Sequence, residues 1–356
     1  MTGGQLRVDI VGWPSNATAA RLLAELQGRG HVAAVVDQGL LAVEAGAEVG
    51  VAPYDLRVRP DVLVTAVSTE ALVALDAIAE LARTGVQVVN PPEAVLASAS
   101  KFTTARLLRA ARVPHPRTVQ VSTAEAALGW AKKLGWPVVV KALDGSEGDQ
   151  VLLAADPEEL VDALGAVRRS EGKDPDGGTP LLVQELVGEV GRDRRIVVCG
   201  GVVVAAIERI ARPGEWRSNL SQGAQPSAVA VTAPEAAAAV AAVHGLGLDL
   251  GAVDVLSTDA GPVVLEVNSF GDVVDVAAFS GIDVIGAYAD LVEAVAVGRR
   301  TLTEASRREL PAGTRATELA FCRERLAGKA VELAALQRPV GGTSSGGAPL
   351  VVPHQR

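Results

Sequence analysis

Three oxygen-bearing side chains, Asp254, Glu266 and Asn268, are spaced so that they could share one metal ion. Side chains two apart on a strand point to the same face, so Glu266 and Asn268 project together. Leu265 and Val267 then read as their core-facing neighbours. If 252–257 and 262–268 form a hairpin folded about Ala260, Asp254 lies opposite Glu266, each six residues from the centre. Hard oxygen donors suit magnesium, which takes one or two carboxylates and leaves room for substrate phosphates. The same alternation also describes the solvent-facing side of an edge hairpin, and pattern alone leaves both readings open.

Other residues could handle an anionic substrate. Lys141 ends a nearly all-apolar strand, immediately before the glycine-bearing loop Asp144-Gly145-Ser146-Glu147-Gly148. A lysine there can reach a phosphate while loop N–H groups cover it. Gln184 and Glu185 end a buried strand that can offer backbone groups to a base and an acid to a ribose. Arg192, Arg194, Arg195, Arg209, Arg212 and Arg217 cluster in an otherwise acidic chain. Guanidinium forks bind carboxylates and phosphates in pairs of hydrogen bonds. The alternative is a set of surface charges balanced by Asp193, Glu208 and Glu215.

These groups need elements to hold them. Residues 8–12, 31–36, 61–67 and 86–90 read as strands separated by helices at 17–27 and 70–83, which implies a parallel sheet. No GxGxxG follows the first strand, so a dinucleotide site is not expected. A helix is expected from Glu93 through Lys101 to Ala111, and another at 123–134. Strands follow at 138–141, 151–154 and 181–185, with a helix at 157–169. Residues 195–199 and 202–208 flank Gly200-Gly201, a hairpin signal. Helices are expected at 234–245 and 283–297, and 303–336 reads as a polar helix, either a solvated tail or an assembly element, before a disordered tail.

Composition narrows the classes. With 356 residues, half of them apolar (49%), the chain should form two or three domains. A net charge of −9 argues against a general nucleic-acid binder. Cys199 and Cys322 are the only cysteines, which excludes a disulfide framework and a cysteine metal site. No apolar run reaches the roughly 18 residues of a membrane span, and the first residues lack the layout of a signal peptide. The expected location is cytoplasmic.

In this order the elements resemble the ATP-grasp superfamily, and more narrowly the RimK-type glutamate ligases. The resemblance is carried by residues 202–209, by Arg217-Ser218-Asn219-Leu220, by Gly251-Ala252-Val253-Asp254 and by 261–268, with Lys101, Lys141 and Gln184-Glu185 at matching places. It implies an ATP-grasp fold of mixed α/β and α+β class. An N-terminal parallel-sheet domain (1–92) would precede an ATP-grasp domain (93–298, lid subdomain about 113–185) and a helical extension with a tail (299–356). Lys101 and Lys141, with Gly145, Ser146 and Gly148, would contact the phosphates of ATP. Gln184 and Glu185, with Leu186 and Val187, would hold the adenosine. Asp193 and Arg195 would line the wall, and Arg217 and Asn219 would face phosphate and substrate. Asp254, Glu266 and Asn268 would ligate Mg2+ (or Mn2+).

The implied reaction is ADP-forming amide synthesis through an acyl phosphate, adding glutamate or another amino acid to a peptide, carrier protein or small molecule. Family precedent suggests dimers or tetramers, without a membrane or nucleic-acid partner. Alternatives are a natural-product ligase using a different amino acid and a nucleotide-binding pseudoenzyme, the latter disfavoured by retention of the metal ligands and lysines. An ATP-grasp carboxylase fits the local motifs less well. Two departures matter, the first for the acceptor's identity and the second for the stiffness of the glycine loop as a lid. Ser269-Phe270-Gly271-Asp272-Val273-Val274-Asp275 replaces the small residue, Pro and Gly usual after the asparagine, and Asp149-Gln150 stands where a further glycine is usual.

Overall fold

The computed structural model describes residues 4–44, 50–52, 59–67, 71–143, 150–175, 177–271 and 273–336. Its first elements are β1 (Arg7–Gly12), α1 (Ala17–Gly28), β2 (Val32–Asp37), a small hairpin of β3 (Ala42–Glu44) and β4 (Gly50–Ala52), β5 (Val62–Ala66), α2 (Leu72–Arg83) and β6 (Gln87–Val89). The parallel sheet expected from the alternation is present, in the order β2-β1-β5-β6. β5 is buried along its whole length, as an interior parallel strand covered on both faces must be. Helix α1 starts where its cap signal lies, with Asn16 Oδ1 accepting the Ala19 N–H at 2.9 Å.

The single helix expected over 93–111 is two helices, α3 (Pro92–Ala99) and α4 (Lys101–Ala110). Ser100 between them is extended (φ −91°, ψ 111°), and its hydroxyl accepts the Thr103 N–H at 3.2 Å. A serine can trade a helical backbone bond for a cap, and here it restarts the helix. The break matters, because it puts Lys101 in the first turn of α4.

A second sheet is built from β7 (Thr118–Val121), β8 (Val138–Lys141), β9 (Val151–Ala154) and β10 (Leu181–Glu185), antiparallel in the order β7-β10-β8-β9. Helices α5 (Ala124–Leu134) and α6 (Pro157–Ser170) cover one face, packing Ala127, Ala131, Leu160 and Leu164 on Val138, Val140, Leu181 and Val183. The opposite face carries Lys141 and Gln184.

The third sheet has five strands, β11 (Arg192–Cys199), β12 (Val202–Ile210), β13 (Gln225–Ala228), β14 (Leu250–Thr258) and β15 (Gly261–Asn268), in the order β13-β12-β11-β14-β15. Helix α7 (Ala233–Gly245) covers one face, over Ile196, Val198, Val253, Val255, Val264 and Val267. The other face is divided. Val197, Cys199, Ile207, Leu250 and Ala252 pack toward α8 (Val274–Ser280) and α9 (Val284–Ala296), and the remaining end of that face is charged.

Helix α10 (Ala312–Leu336) packs along α8. Its polar sequence reads as a solvated tail, yet Cys322 on it is fully buried with Val274 and Ala278. The disordered tail expected beyond it lies outside the described residues. Among those residues no helix is long and apolar enough to cross a membrane.

Asn90 ties the first sheet to the third. Its Oδ1 accepts the N–H groups of Asp249 (2.8 Å) and Leu250 (3.0 Å), and its Nδ2 donates to the carbonyls of Leu250 (3.0 Å) and Ser269 (2.5 Å). Buried backbone groups without partners cost about 1–3 kcal/mol each, so Asn90→Ala is expected to lower stability by about 2–5 kcal/mol. Urea unfolding of the two proteins checks this; a loss below about 1 kcal/mol would show that the link is dispensable.

Candidate active site

The charged end of the third sheet is a row of side chains set by strand register. Arg195 on β11 lies opposite Asp254 on β14, and Asp254 lies opposite Glu266 on β15. Asp193 on β11 lies opposite Arg209 on β12. Arg195 grips Asp254 with two hydrogen bonds of 2.8 and 2.9 Å. Arg209, 2% exposed, holds both oxygens of Asp193 (2.7 and 2.5 Å) and reaches Asp254 at 3.0 Å. Burial alone would lift the Asp254 carboxyl, but the two guanidinium groups override it and hold the pKa well below the usual range. Burial pushes Asp193 upward against the pull of Arg209.

The expected pairing of Asp254 with Glu266 is present, although by a different route. The turn is Asp259-Ala260, since Thr258 pairs with Gly261, and a bulge next to Val255 supplies the missing offset. Leu265 is the extra residue. It lines the cleft beside Glu266, where alternation placed it in the core, and Val264 and Val267 are the buried neighbours instead.

Across the cleft stand the lysines. Lys141 Nζ donates to Gln184 Oε1 at 2.7 Å, and Gln184 Nε2 donates to Thr118 Oγ1 at 2.8 Å. Burial pulls the Lys141 ammonium down to about 8; Glu266 and Asp254 oppose that shift and Lys101 adds to it. Lys101 lines the same cleft, its N–H bonded to the Leu143 carbonyl at 3.2 Å where the chain leaves β8. Glu185, Leu186 and Val187 form the adjoining wall. Glu185 Oε1 also accepts the Arg117 N–H at 2.7 Å, so part of this acid secures β7. Gly145, Ser146 and Gly148 lie outside the described residues.

The arginine cluster divides. Arg194 turns to the α7 side and bonds both oxygens of Glu235 (2.6 and 2.7 Å), with Glu208 at 3.7 Å. Arg195 stands behind Asp254 and is engaged with it. Arg217 and Asn219 line the cleft on the loop after β12. Arg217 is held by Glu215, which accepts at 2.9 Å from both Nε and Nη2. The balancing acids Asp193, Glu208 and Glu215 are all used, but Asp193–Arg209 is buried, so it is no surface pair. Sequence reasoning counted Arg209 only among the arginines that could take an anionic substrate, whereas the structure engages it with Asp193 and Asp254. The one-residue shift between Val197 and Val198 brings Arg209 onto the cleft face, and no residue pattern announces that shift. Thr118 and Trp216, also at the cleft, carry no signal of their own.

The departures after Asn268 have structural partners. Phe270 packs on Tyr288, with ring centroids 6.1 Å apart, and Asp275 pairs with Arg325 of α10. Asp272 and Asp149 lie outside the described residues.

The donor set fits a magnesium ion. The Glu266 carboxylate makes no hydrogen bond among the described residues, and Asp254 keeps a lone pair on Oδ1 after its arginine bonds. The Asn268 side chain likewise makes no hydrogen bond among the described residues, so its Oδ1, the atom that could ligate a cation, is not engaged by them. No group of three or more His, Cys, Asp or Glu among the described residues could replace this set.

Comparison with known proteins agrees with the geometry. Residues 98–292 match the model of the RimK-like ATP-grasp domain. A probable alpha-L-glutamate ligase of Pseudoalteromonas translucida (strain TAC 125) is 30% identical over 291 residues, covering 80% of this chain and 93% of the relative. One of Aliivibrio fischeri (strain MJ11) is 34% identical over 224 residues, or 62% of this chain and 71% of the relative. Among solved structures, the ATP-grasp ligase PsnB complexed with minimal precursor, Mg and ADP shares the fold, with a TM-score of 0.62 at 19% identity over 81% of this chain and 97% of that one. The chain belongs to the RimK-like ATP-grasp family and is an ADP-forming carbon–nitrogen ligase.

Proposed function

We propose that the protein activates a substrate carboxylate with ATP and joins it to an amine, adding glutamate or another amino acid to a peptide, protein or small-molecule acceptor. One observation carries the reading: a single cleft sets Lys101 and Lys141 against Asp254 and Glu266, with Arg217 and Asn219 at its side. A site for two anions that must react needs this balance of fixed positive charge and metal-binding oxygen. The chain's likeness to glutamate ligases supports the amino-acid chemistry, and the Mg and ADP in the PsnB complex support the nucleotide assignment by analogy of fold.

In this scheme Lys101 and Lys141 hold the phosphates, and Gln184 keeps the Lys141 ammonium aimed across the cleft. Glu185, Leu186 and Val187 hold adenosine. Asp254, Glu266 and Asn268 hold magnesium, which when bound neutralises phosphate charge. The substrate carboxylate attacks the γ-phosphorus and ADP leaves. The amine then attacks the acyl carbon, phosphate leaves with the C–O bond, and the nitrogen loses its proton. Arg217 and Asn219 orient the anionic substrate. Arg195 and Arg209 act one step back by holding Asp254 ionised.

Phosphate release with magnesium-ATP, screened over amino acids and acidic peptides in pairs, tests the proposal. Release that no acceptor stimulates would overturn it. Glu266→Ala is expected to lower kcat by about 10²-fold or more, with an unchanged melting temperature because the carboxylate serves no hydrogen bond of the fold. Wild-type turnover in that variant would refute the metal assignment.

A pH effect follows from Lys141. Phosphate needs its ammonium form, and the free protein loses that proton at about pH 8. Affinity for metal-free ADP should therefore hold below pH 8 and fall by up to about tenfold per unit above it, whereas Lys141→Arg should flatten the profile. Calorimetric titration across pH 6.5 to about 9.5 reads this out.

A further inference from the structure

His115 stands where two walls of the cleft are tied together. One residue before it, the Pro114 carbonyl accepts the Val264 N–H of β15 at 2.8 Å. Two residues after it, Arg117 exchanges two bonds with Glu185 at the end of β10. The Arg117 carbonyl accepts the Glu185 N–H at 3.0 Å, and the Arg117 N–H donates to Glu185 Oε1 at 2.7 Å. Residues 114–117 thus span from the third sheet to the second, and His115 lines the cleft between them.

The cleft around this segment is apolar. Ala105 and Leu108 of α4 line it, with Leu186, Val187, Leu256 and Leu265. Helix α4 packs on both β7 and β15. Lys101, Ala105 and Leu108 are spaced i, i+4 and i+7, so one face of α4 runs from a lysine to apolar side chains over about 10 Å. An ammonium at one end and a slot for a flat ring at the other suit a nucleoside phosphate.

The neutral His115 ring has only one tautomer here. Nδ1 donates to the Val113 carbonyl at 2.9 Å. A carbonyl can only accept, so Nδ1 carries the proton and Nε2 keeps its lone pair. The ring is half-buried, and it makes no other hydrogen bond among the described residues. We propose that His115 selects the base of the nucleotide, with Nε2 accepting an N–H of the exocyclic amino group of adenine; this deepens the ligase reading and rests on it. Apolar walls hold any purine alike and cannot tell an amino group from a carbonyl, whereas a fixed acceptor can. Guanine carries a carbonyl oxygen at that position, so two lone pairs would face each other.

Calorimetric titration of the full chain with ADP, GDP and purine riboside diphosphate, which lacks the amino group, tests the proposal in the wild type and in His115→Phe. Phenylalanine keeps a ring and removes the acceptor. The wild type should bind ADP about five- to tenfold more tightly than the purine riboside analogue, and GDP more weakly than either. In His115→Phe the preference for ADP over the analogue should fall to about twofold or less. His115→Leu serves if the phenyl ring prevents folding. A side chain that only held residues 113–117 in place would weaken ADP and the analogue equally, and an unchanged preference in the variant would overturn the proposal. Equal binding of ADP and the analogue by the wild type would overturn it too. Both results leave the nucleotide site standing, whereas a wild type that binds none of the three would overturn the ligase reading as well.

Discussion

A carboxylate buried in a protein must be either protonated or held by positive charge, and Asp254 is held by two arginines. That constraint organises the third sheet. Arg195 has to stand directly across from Asp254, and Arg209 has to reach it from the next strand while holding Asp193. Three adjacent strands are thereby locked in one register by charge as well as by backbone bonds. Removing one member of such a set typically costs about 3–5 kcal/mol because the remaining charge is stranded. The same network keeps Asp254 ionised, which a hard cation requires of its ligand.

The sheet face that carries this network serves two purposes. At one end, small and branched apolar side chains bury against α8 and α9 and join the N-terminal sheet through Asn90. At the other, charged side chains face the cleft. The transition falls within single strands, where β11 passes from Val197 and Cys199 to Arg195 and Asp193. Rigid packing at one end therefore holds polar groups at the other, without loops in between.

The two walls of the cleft are chemically complementary. Lys141 is buried enough to lose much of its preference for charge, and the acids opposite restore part of it. The cleft thus sets the Lys101 and Lys141 side chains on one side against the Asp254 and Glu266 carboxylates on the other. Arg194 shows how proximity in sequence can mislead: beside Arg195 on the strand, it faces the opposite side and serves α7. Likewise Asp275, suspect by sequence as an acceptor-facing acid, is turned toward α10.

The sequence alone determined the alternating strands and helices, the hairpin at Gly200-Gly201, a second hairpin within 258–261 though not its exact turn, and the pairing of Asp254 with Glu266; Lys101, Lys141, Asp254 and Glu266, singled out in the sequence, line one cleft. Those are local patterns, or motifs whose order along the chain is itself the signal. Tertiary structure alone decided which arginines face the cleft, that Leu265 joins them there, that Ser100 splits a helix, and that α10 docks. The physical reason is register. A one-residue bulge in each of two hairpins moves side chains from one face of the sheet to the other. Whether a bulge forms depends on the partner strand and on the charges that must be satisfied across it, neither of which is encoded within the strand itself.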